Sequence, residues 1–116
     1  MEKIPYYYDS INRNAITIRA RKTFFDWINS VFPEDEPVEE NQENNIYLVR
    51  EMDSNDIVLN WIKKNFDNIF INELNDWCTD EKEWPKNRTF KMFIDWFEIE
   101  ISSMVLDLED YPVTKD

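Results

Sequence analysis

Residues 77–108 read WCTDEKEWPKNRTFKMFIDWFEIEISSMVLDL, and this stretch decides the fold. Its apolar residues first recur with the period of a helix and then alternate with acidic residues, as in a strand that is buried on one face. The stretch also contains three of the five tryptophans and the only cysteine. We therefore expect the helices and strands that precede it to pack on the apolar surface that it provides.

Within this stretch we predict a helix that leads directly into a strand. Asn87 or Thr89 is the expected N-cap, because its side chain can accept a hydrogen bond from a free amide of the first turn. The apolar face of the helix contains Phe90, Phe93, Ile94 and Phe97. The apolar side of the strand contains Phe97, Ile99 and Ile101. The pattern then shifts by one residue at Ser102 and Ser103, which is typical of a β-bulge.

Upstream, residues 14–19 alternate and are rich in β-branched side chains, which predicts a first strand that is buried on one face. A helix is expected from Thr23, its N-cap, to Pro33. Residues 46–49, IYLV, are apolar on both faces and predict a second, central strand. Because a helix joins the two strands, a right-handed parallel crossover is expected if both lie in one sheet.

A long helical pattern follows, from Asp53 or Ser54 to Trp77. Acidic residues in its first turn favour this start, because they complement the helix dipole. The apolar stripe is wide, and we predict two helices with a break near Asn65. The outward-facing residues are expected to be Lys63, Lys64, Asp67, Asn68 and Glu73. A short helical turn is expected to start at residues 79–81.

Three strands and about four helices predict an α+β fold, in which a small three-stranded mixed sheet carries the helices on one face. The length of 116 residues is typical of one domain, so residues 1–116 are expected to form a single globular domain. Residues 1–13 are expected to be an N-terminal arm. Residues 33–45, PEDEPVEENQENN, have almost nothing to bury and predict an acidic, flexible loop.

Acidic residues outnumber basic residues, 25 to 13, and give a formal net charge of −12. Binding of nucleic acid through a basic patch is disfavoured, because contact with phosphates needs a surplus of lysine and arginine. Anionic membrane surfaces are disfavoured for the same reason. A basic protein would be attracted by this charge, although a negative surface also serves solubility alone. The sequence leaves the oligomeric state open.

The chain contains neither glycine nor histidine. Without glycine there is no P-loop and no dinucleotide-binding fingerprint, since both need glycines where the backbone approaches phosphate. Without histidine there is no Ser-His-Asp or Cys-His arrangement, no HExxH zinc site and no imidazole base. We therefore predict no catalytic residue, no metal-ligand set and no cofactor, and we favour a protein that is not an enzyme.

The cysteine usage and the N-terminus bear on location. Cys78 is the single cysteine, so an internal disulfide is impossible, which fits a reducing compartment. No apolar run has the length that spans a bilayer. The N-terminus lacks the apolar core of a signal peptide. A cytoplasmic location is expected.

The acidic loop is the first candidate for a functional site. Its carboxylates are Glu34, Asp35, Glu36, Glu39, Glu40 and Glu43. They would contact a basic partner protein, unless the loop is simply solvated. The loop lacks the alternating ligands and the central glycine of an EF-hand, which argues against a specific calcium site.

Two further groups are candidates. The polar face of the sheet would carry Arg19, Glu98, Glu100 and Asp107. Opposite charges on neighbouring strands stabilise a sheet, whereas in a sharper hypothesis the three carboxylates bind a divalent cation and Arg19 neutralises the transition state of a hydrolysis. The other group is Trp84, Lys86 and Arg88. It would form an anion-recognition edge beside a helix start, or it anchors a loop.

The run WPKNRTFKMFIDWFEIEISSMVLDL, residues 84–108, resembles a segment of a family of short, functionally uncharacterised bacterial proteins. The resemblance extends over residues 12–108 and implies a bacterial origin and one compact domain, with no activity to transfer. Our preferred hypothesis is a non-enzymatic protein-binding or regulatory module, comparable to immunity or inhibitor proteins. The alternatives are a divalent-metal-dependent hydrolase or nuclease that uses the strand carboxylates, and a mimic of nucleic acid.

Overall fold

The computed structural model describes residues 9–39 and 43–116. In chain order the elements are β1 (Arg13–Ala20), α1 (Lys22–Val31), β2 (Asn45–Arg50), α2 (Asn55–Trp77), a 3-10 turn (Glu81–Glu83), α3 (Phe90–Trp96) and β3 (Phe97–Ser102). The prediction of an α+β fold with a small sheet is confirmed. The described residues form three α-helices rather than about four.

The three strands are ordered β2-β1-β3, and β1 is antiparallel to both neighbours. The predicted mixed sheet with a parallel crossover is therefore wrong, and β1 rather than β2 is the central strand. Ile18, near the end of β1, is paired with Asn45 at the start of β2. The segment that contains α1 and the acidic loop thus leaves and re-enters the sheet at the same end, whereas a parallel crossover must return to the opposite end.

One face of the sheet packs against the helices and forms one side of the hydrophobic core. Its buried side chains include Ile16, Ile18, Val49 and Phe97, and they belong to one cluster with the buried residues of all three helices. The helices therefore cover this face. We call it the inner face, and we call the opposite side of the sheet the outer face.

Aromatic rings fill the centre of the core. Phe24 from α1, Phe70 from α2, Phe93 from α3 and Phe97 from β3 are fully buried. The centroid distances from the Phe97 ring to these three rings lie between 4.9 and 5.5 Å. Such tilted and edge-to-face pairs stabilise a core by about 0.5–1.5 kcal/mol each beyond the burial of area. Residues 77–108 thus provide the surface on which α1 and α2 pack, as predicted.

Helix α2 is continuous over its 23 residues, so the predicted break near Asn65 is wrong. No glycine or proline interrupts this segment. The Asn65 side chain donates to the carbonyl oxygen of Trp61, one turn earlier, at 2.8 Å, and so stays inside a regular helix. The predicted start is confirmed, because the Ser54 hydroxyl accepts a hydrogen bond from the Ile57 amide at 3.2 Å.

Helix α3 is capped by a neighbouring side chain, whereas the start of α1 is held by a contact with a distant segment. Thr89 caps α3, as predicted, with its hydroxyl 3.1 Å from the Met92 nitrogen. Thr23 does not cap α1, because Arg21 occupies the N-cap position without a side-chain bond. The Arg21 amide instead donates to the Trp96 carbonyl at 2.8 Å, which ties the start of α1 to the end of α3. Asn87 has a φ of 57°, in the left-handed region that a glycine usually occupies.

Strand β3 ends at Ser102, and one isolated antiparallel bridge follows between Ser10 and Leu106. Ser10 lies five residues before Ala15, whereas Leu106 lies four residues after Ser102, the partner of Ala15. The register therefore shifts by one residue between these two pairs, but the additional residue lies before β1, whereas the apolar pattern predicted a bulge at Ser102 and Ser103. None of the helices in the described ranges is both long and apolar enough to cross a membrane.

Candidate functional site

A buried carboxylate lies where the end of α2 meets the start of β2. Glu73 is only 8% exposed, although it ionises in water. Its Oε2 atom accepts a hydrogen bond from the Asn45 side-chain nitrogen at 2.7 Å and a second from the Tyr47 hydroxyl. Burial of a charge is tolerated when such donors replace water, and both donors come from β2.

Two further residues of α2, Asn72 and Asp76, complete a hydrogen-bond network around Glu73. The Asn72 side chain donates to the Tyr47 hydroxyl oxygen at 2.8 Å. The other proton of the Asn45 amide reaches the carboxylate of Asp76 at 3.0 Å. We use the name Glu73 network for the five residues Asn45, Tyr47, Asn72, Glu73 and Asp76. Because each donor has an acceptor, the positions of the two carboxylates are fixed by their partners.

A cavity of about 200 Å³ opens beside the network. We call it the Glu73 pocket. Its walls are formed by Ile18, Ala20, Phe24, Glu43, Asn44, Asn45, Glu73, Asp76 and Trp77. Three carboxylates therefore border the same space as two aromatic rings. A positively charged group with an apolar stem is the ligand chemistry that such walls favour, since it finds both opposite charge and apolar or aromatic contact.

The position of Glu73 corrects the sequence analysis, which placed this residue on the outward face of α2. Glu73 follows Ile69 by four residues and Phe70 by three, and both of these are buried. The same spacing places Glu73 inside the apolar stripe of the helix. The spacing from Ile69 and Phe70 was therefore a signal in the sequence that Glu73 is buried. An acidic residue within an apolar stripe is a candidate for a buried, hydrogen-bonded carboxylate rather than for a solvated one.

Burial raises the pKa of the Glu73 carboxyl, because the charged form loses hydration. The hydrogen bonds from Tyr47 and Asn45 act in the opposite direction, and the negative charge of Asp76 adds to the increase. The pKa of the Tyr47 hydroxyl is also raised, first by burial and then by its bond to Glu73. Glu73 therefore keeps its proton to a higher pH than an exposed glutamate.

This shift predicts the sign of a pH effect on stability. The folded state binds the Glu73 proton more tightly than the unfolded chain does, for which the ordinary glutamate pKa is 4.5. The stabilising contribution of the protonated form is complete below that pKa and is lost as the pH rises through the folded-state pKa. Glu73→Gln cannot ionise. We expect the wild-type protein to lose stability relative to Glu73→Gln as the pH rises above 4.5.

Urea unfolding of the wild type and of Glu73→Gln at pH values from below 4.5 upward measures the difference in their free energies of unfolding. The other carboxylates are present in both proteins, so their contributions cancel in this difference. Glu109→Gln is the matched control, because Glu109 is exposed near the end of the chain. We expect its difference from wild type to stay nearly constant with pH. A Glu73→Gln difference that is equally flat would show that Glu73 ionises in the folded state as it does in the unfolded chain.

The acidic side chains that the structure describes between residues 33 and 45 are exposed. Glu34, Asp35, Glu36 and Glu39 are all exposed. Glu40 lies outside the described residues. Glu43 differs from the rest, because it lines the Glu73 pocket. The Asn29 side chain accepts from the Val38 amide at 2.8 Å and donates to the Val38 carbonyl at 2.9 Å, which fixes the loop to α1 at one point.

The charged residues of the sheet lie on its outer face. Glu98 is directly opposite Arg19, and the Arg19 guanidinium forms an ion pair with Glu100, two residues further along β3. Asp107 lies beyond the end of β3, and its carboxylate accepts a hydrogen bond from the Glu109 amide at 2.9 Å. Within residues 9–39 and 43–116 there is no group of three or more acidic or cysteine side chains that could hold a metal ion.

Among the three residues of the proposed anion edge, two have structural partners. Arg88 donates to both oxygens of Asp67, at 2.7 and 3.2 Å, and to the Pro85 carbonyl at 3.0 Å. Trp84 donates its indole N–H to the Cys78 carbonyl at 2.8 Å. Lys86 is exposed. This segment therefore fastens the connector before α3 to the middle of α2.

Comparisons with known proteins add no assignment, since no protein-family model, no curated protein and no solved structure matches the chain. The resemblance to uncharacterised bacterial proteins, and the bacterial origin that it implies, stay predictions. The geometry of the Glu73 pocket and the distribution of charge are therefore the features that bear on function.

Proposed function

We propose that the protein is a non-enzymatic binding module that recognises a basic segment of a partner protein through its acidic loop and the adjoining Glu73 pocket. The observation that carries this proposal is the position of Glu43. It belongs to the acidic loop, and it lines a pocket with Glu73 and Asp76. Glu43 thus belongs both to the acidic loop and to the walls of the pocket.

The chemistry of the pocket defines the partner further. Trp77 and Phe24 provide aromatic walls beside the carboxylates. A lysine or arginine side chain would place its charge near Glu73 and Asp76 and its methylene groups against the half-buried Trp77 ring. Charges elsewhere on the partner would meet the exposed loop. The net charge of −12 would increase the rate at which such a partner is captured.

Binding of a short fluorescent peptide rich in lysine and arginine tests this proposal. In the loop variant, Glu34, Asp35, Glu36, Glu39, Glu40 and Glu43 are changed to the corresponding amides. We expect its affinity to fall by roughly tenfold or more, which corresponds to about 1.4 kcal/mol. Fluorescence anisotropy at several salt concentrations measures this change.

A matched control removes the same number of charges from other segments. It carries amides in place of Glu51, Asp53, Asp95, Glu109, Asp110 and Asp116, all of which are exposed. We expect this variant to bind the peptide nearly as the wild type does. If the two variants lost equal affinity for the peptide, binding would depend on the net charge of the protein alone. The loop would then not be a binding site.

The metal-dependent hydrolase and the nucleic-acid mimic stay predictions, and no contact described above favours either of them. Glu100, the central carboxylate of the first alternative, is already paired with Arg19. A cytoplasmic location is part of the present proposal, because a binding module with a single buried cysteine fits a reducing compartment.

A further inference from the structure

The hydrogen bonds to the Glu73 side chain all end on one of its two carboxylate oxygens. Oε2 accepts from the Asn45 amide at 2.7 Å and from the Tyr47 hydroxyl, and these two donors occupy both of its lone pairs. Oε1 accepts no hydrogen bond from any residue in the ranges 9–39 and 43–116. The only enclosed polar side-chain atom without a partner in these ranges is Asn14 Nδ2, so Glu73 Oε1 is not sealed in the interior. It is therefore reached from the pocket that Glu73 lines.

Asp76 provides the pocket with a second carboxylate that is restricted in a similar way. Its Oδ2 atom accepts from the same Asn45 amide nitrogen, at 3.0 Å. One amide group thus holds one oxygen of each carboxylate, so the two acidic groups lie close together. Glu73 is buried and Asp76 is exposed, which places them at the base and at the mouth of the pocket. A cation that enters the pocket can therefore contact one remaining oxygen of each.

Another carboxylate of this chain shows what an arginine needs. Arg88 donates to both oxygens of Asp67, at 2.7 and 3.2 Å. This fork is the strong mode of arginine recognition, and it requires that both oxygens of one carboxylate are free to accept. Glu73 cannot accept such a fork, because its Oε2 atom is already occupied. An ammonium group is a compact charge whose three donors point in different directions, so it binds single oxygens of separate carboxylates.

The apolar part of the pocket matches the stem of a lysine side chain. Trp77 and Ala20 line the pocket beside the carboxylates, and both are half-buried. An unbranched methylene chain packs along such walls while its terminal charge reaches the polar end. Because Asp76 is exposed, an ammonium proton that neither carboxylate accepts can keep a water molecule. The walls and the acceptors thus favour the same side chain.

We propose that the Glu73 pocket binds a lysine side chain of the partner protein in preference to an arginine, with Glu73 Oε1 accepting a hydrogen bond from the ammonium group. This inference rests on the proposed function and deepens it, because it specifies which basic residue enters the pocket. The acidic loop attracts both residue types through its charge. The preference for lysine therefore arises in the pocket and is separable from the attraction by the loop.

Two fluorescent peptides of equal length test this preference, one with lysine and the other with arginine at every basic position. Fluorescence anisotropy at physiological salt and mildly alkaline pH, where lysine stays ionised, measures their affinities. We expect the wild type to bind the lysine peptide more tightly by roughly fivefold, the effect of one well-placed hydrogen bond. In Glu73→Gln the amide oxygen is needed by Asn45 and Tyr47, so an NH2 group takes the place of Oε1. The two affinities should then become nearly equal, mainly because the lysine peptide binds less tightly.

Two further variants complete the test, and circular dichroism checks that each variant is folded. Glu109→Gln removes the same charge at an exposed position and should retain the preference for lysine. Asp76→Asn changes an exposed residue at the mouth of the pocket and should reduce that preference. Equal affinities of the wild type for the two peptides, or a preference that Glu73→Gln leaves unchanged, would overturn the inference.

The loop variant separates this inference from the proposed function. If it lost affinity for both peptides while the wild type did not discriminate between them, the proposed function would stand and only the preference for lysine would fall. A wild-type protein that bound neither peptide would overturn both.

Discussion

Replacing Phe97 by alanine should lower the free energy of unfolding by about 3–5 kcal/mol, the usual cost of removing a buried aromatic ring. Phe97 is fully buried at the junction of α3 and β3. Its ring lies 4.9 Å from Phe24, 5.5 Å from Phe70 and 5.3 Å from Phe93, measured between centroids. The substitution therefore leaves a cavity where all three helices meet the sheet.

Urea unfolding followed by tryptophan fluorescence measures this loss. Domains of this size are stable by about 5–15 kcal/mol, so the alanine variant is expected to be close to unfolding. Phe97→Leu keeps most of the volume and should show a smaller loss with the same sign. Phe32→Ala is the control, because Phe32 is 37% exposed beyond the end of α1. If Phe97→Ala cost no more than Phe32→Ala, the four rings would not form the centre of the core.

The second large effect is expected at Tyr47. Replacing Tyr47 by phenylalanine removes the hydroxyl that donates to the buried Glu73 carboxylate and accepts from Asn72. Hydrogen bonds to charged groups contribute about 1.5–3 kcal/mol, and we expect a loss in this range at pH values where Glu73 is ionised. The carboxylate would then keep only Asn45 as a described side-chain donor.

A double-mutant cycle with Glu73→Gln isolates this contact. In the glutamine background the acceptor is neutral, so Tyr47→Phe should cost only about 0.5–1.5 kcal/mol. Urea unfolding of the four proteins at a series of pH values gives the coupling energy, which should increase as Glu73 ionises. Tyr111→Phe is the control, because Tyr111 is 71% exposed, and its effect should stay within about 0.5 kcal/mol. Equal costs of Tyr47→Phe in both backgrounds would mean that the hydroxyl does not interact with the Glu73 charge.

Most of the local structure was predictable from the sequence. The alternation in residues 97–101 and the helical spacing of Phe90, Phe93 and Phe97 identified α3 and β3, because these periods follow from backbone geometry. The caps at Ser54 and Thr89 were predictable for a similar reason. Each is made by a hydroxyl and an amide three residues apart.

Part of the candidate site was also within reach. Glu43 was identified through the acidic composition of its loop. Glu73 was misplaced, although its spacing from Ile69 and Phe70 put it within the apolar stripe of α2. The polar type of the residue was given more weight than its position. The sequence pattern did not identify the donors that make burial of the Glu73 carboxylate tolerable. These donors, Asn45 and Tyr47, are far from Glu73 along the chain.

By itself, then, the sequence determined most of the helices and strands, the α+β class and the excess of negative charge. Tertiary structure alone decided the direction of β2, the central place of β1 and the meeting of Glu43, Glu73 and Asp76 around one pocket. The physical reason is the range of the interactions. Helix and strand periods arise from neighbouring residues, whereas strand order and buried hydrogen bonds arise from contacts between segments whose separation the local pattern does not encode.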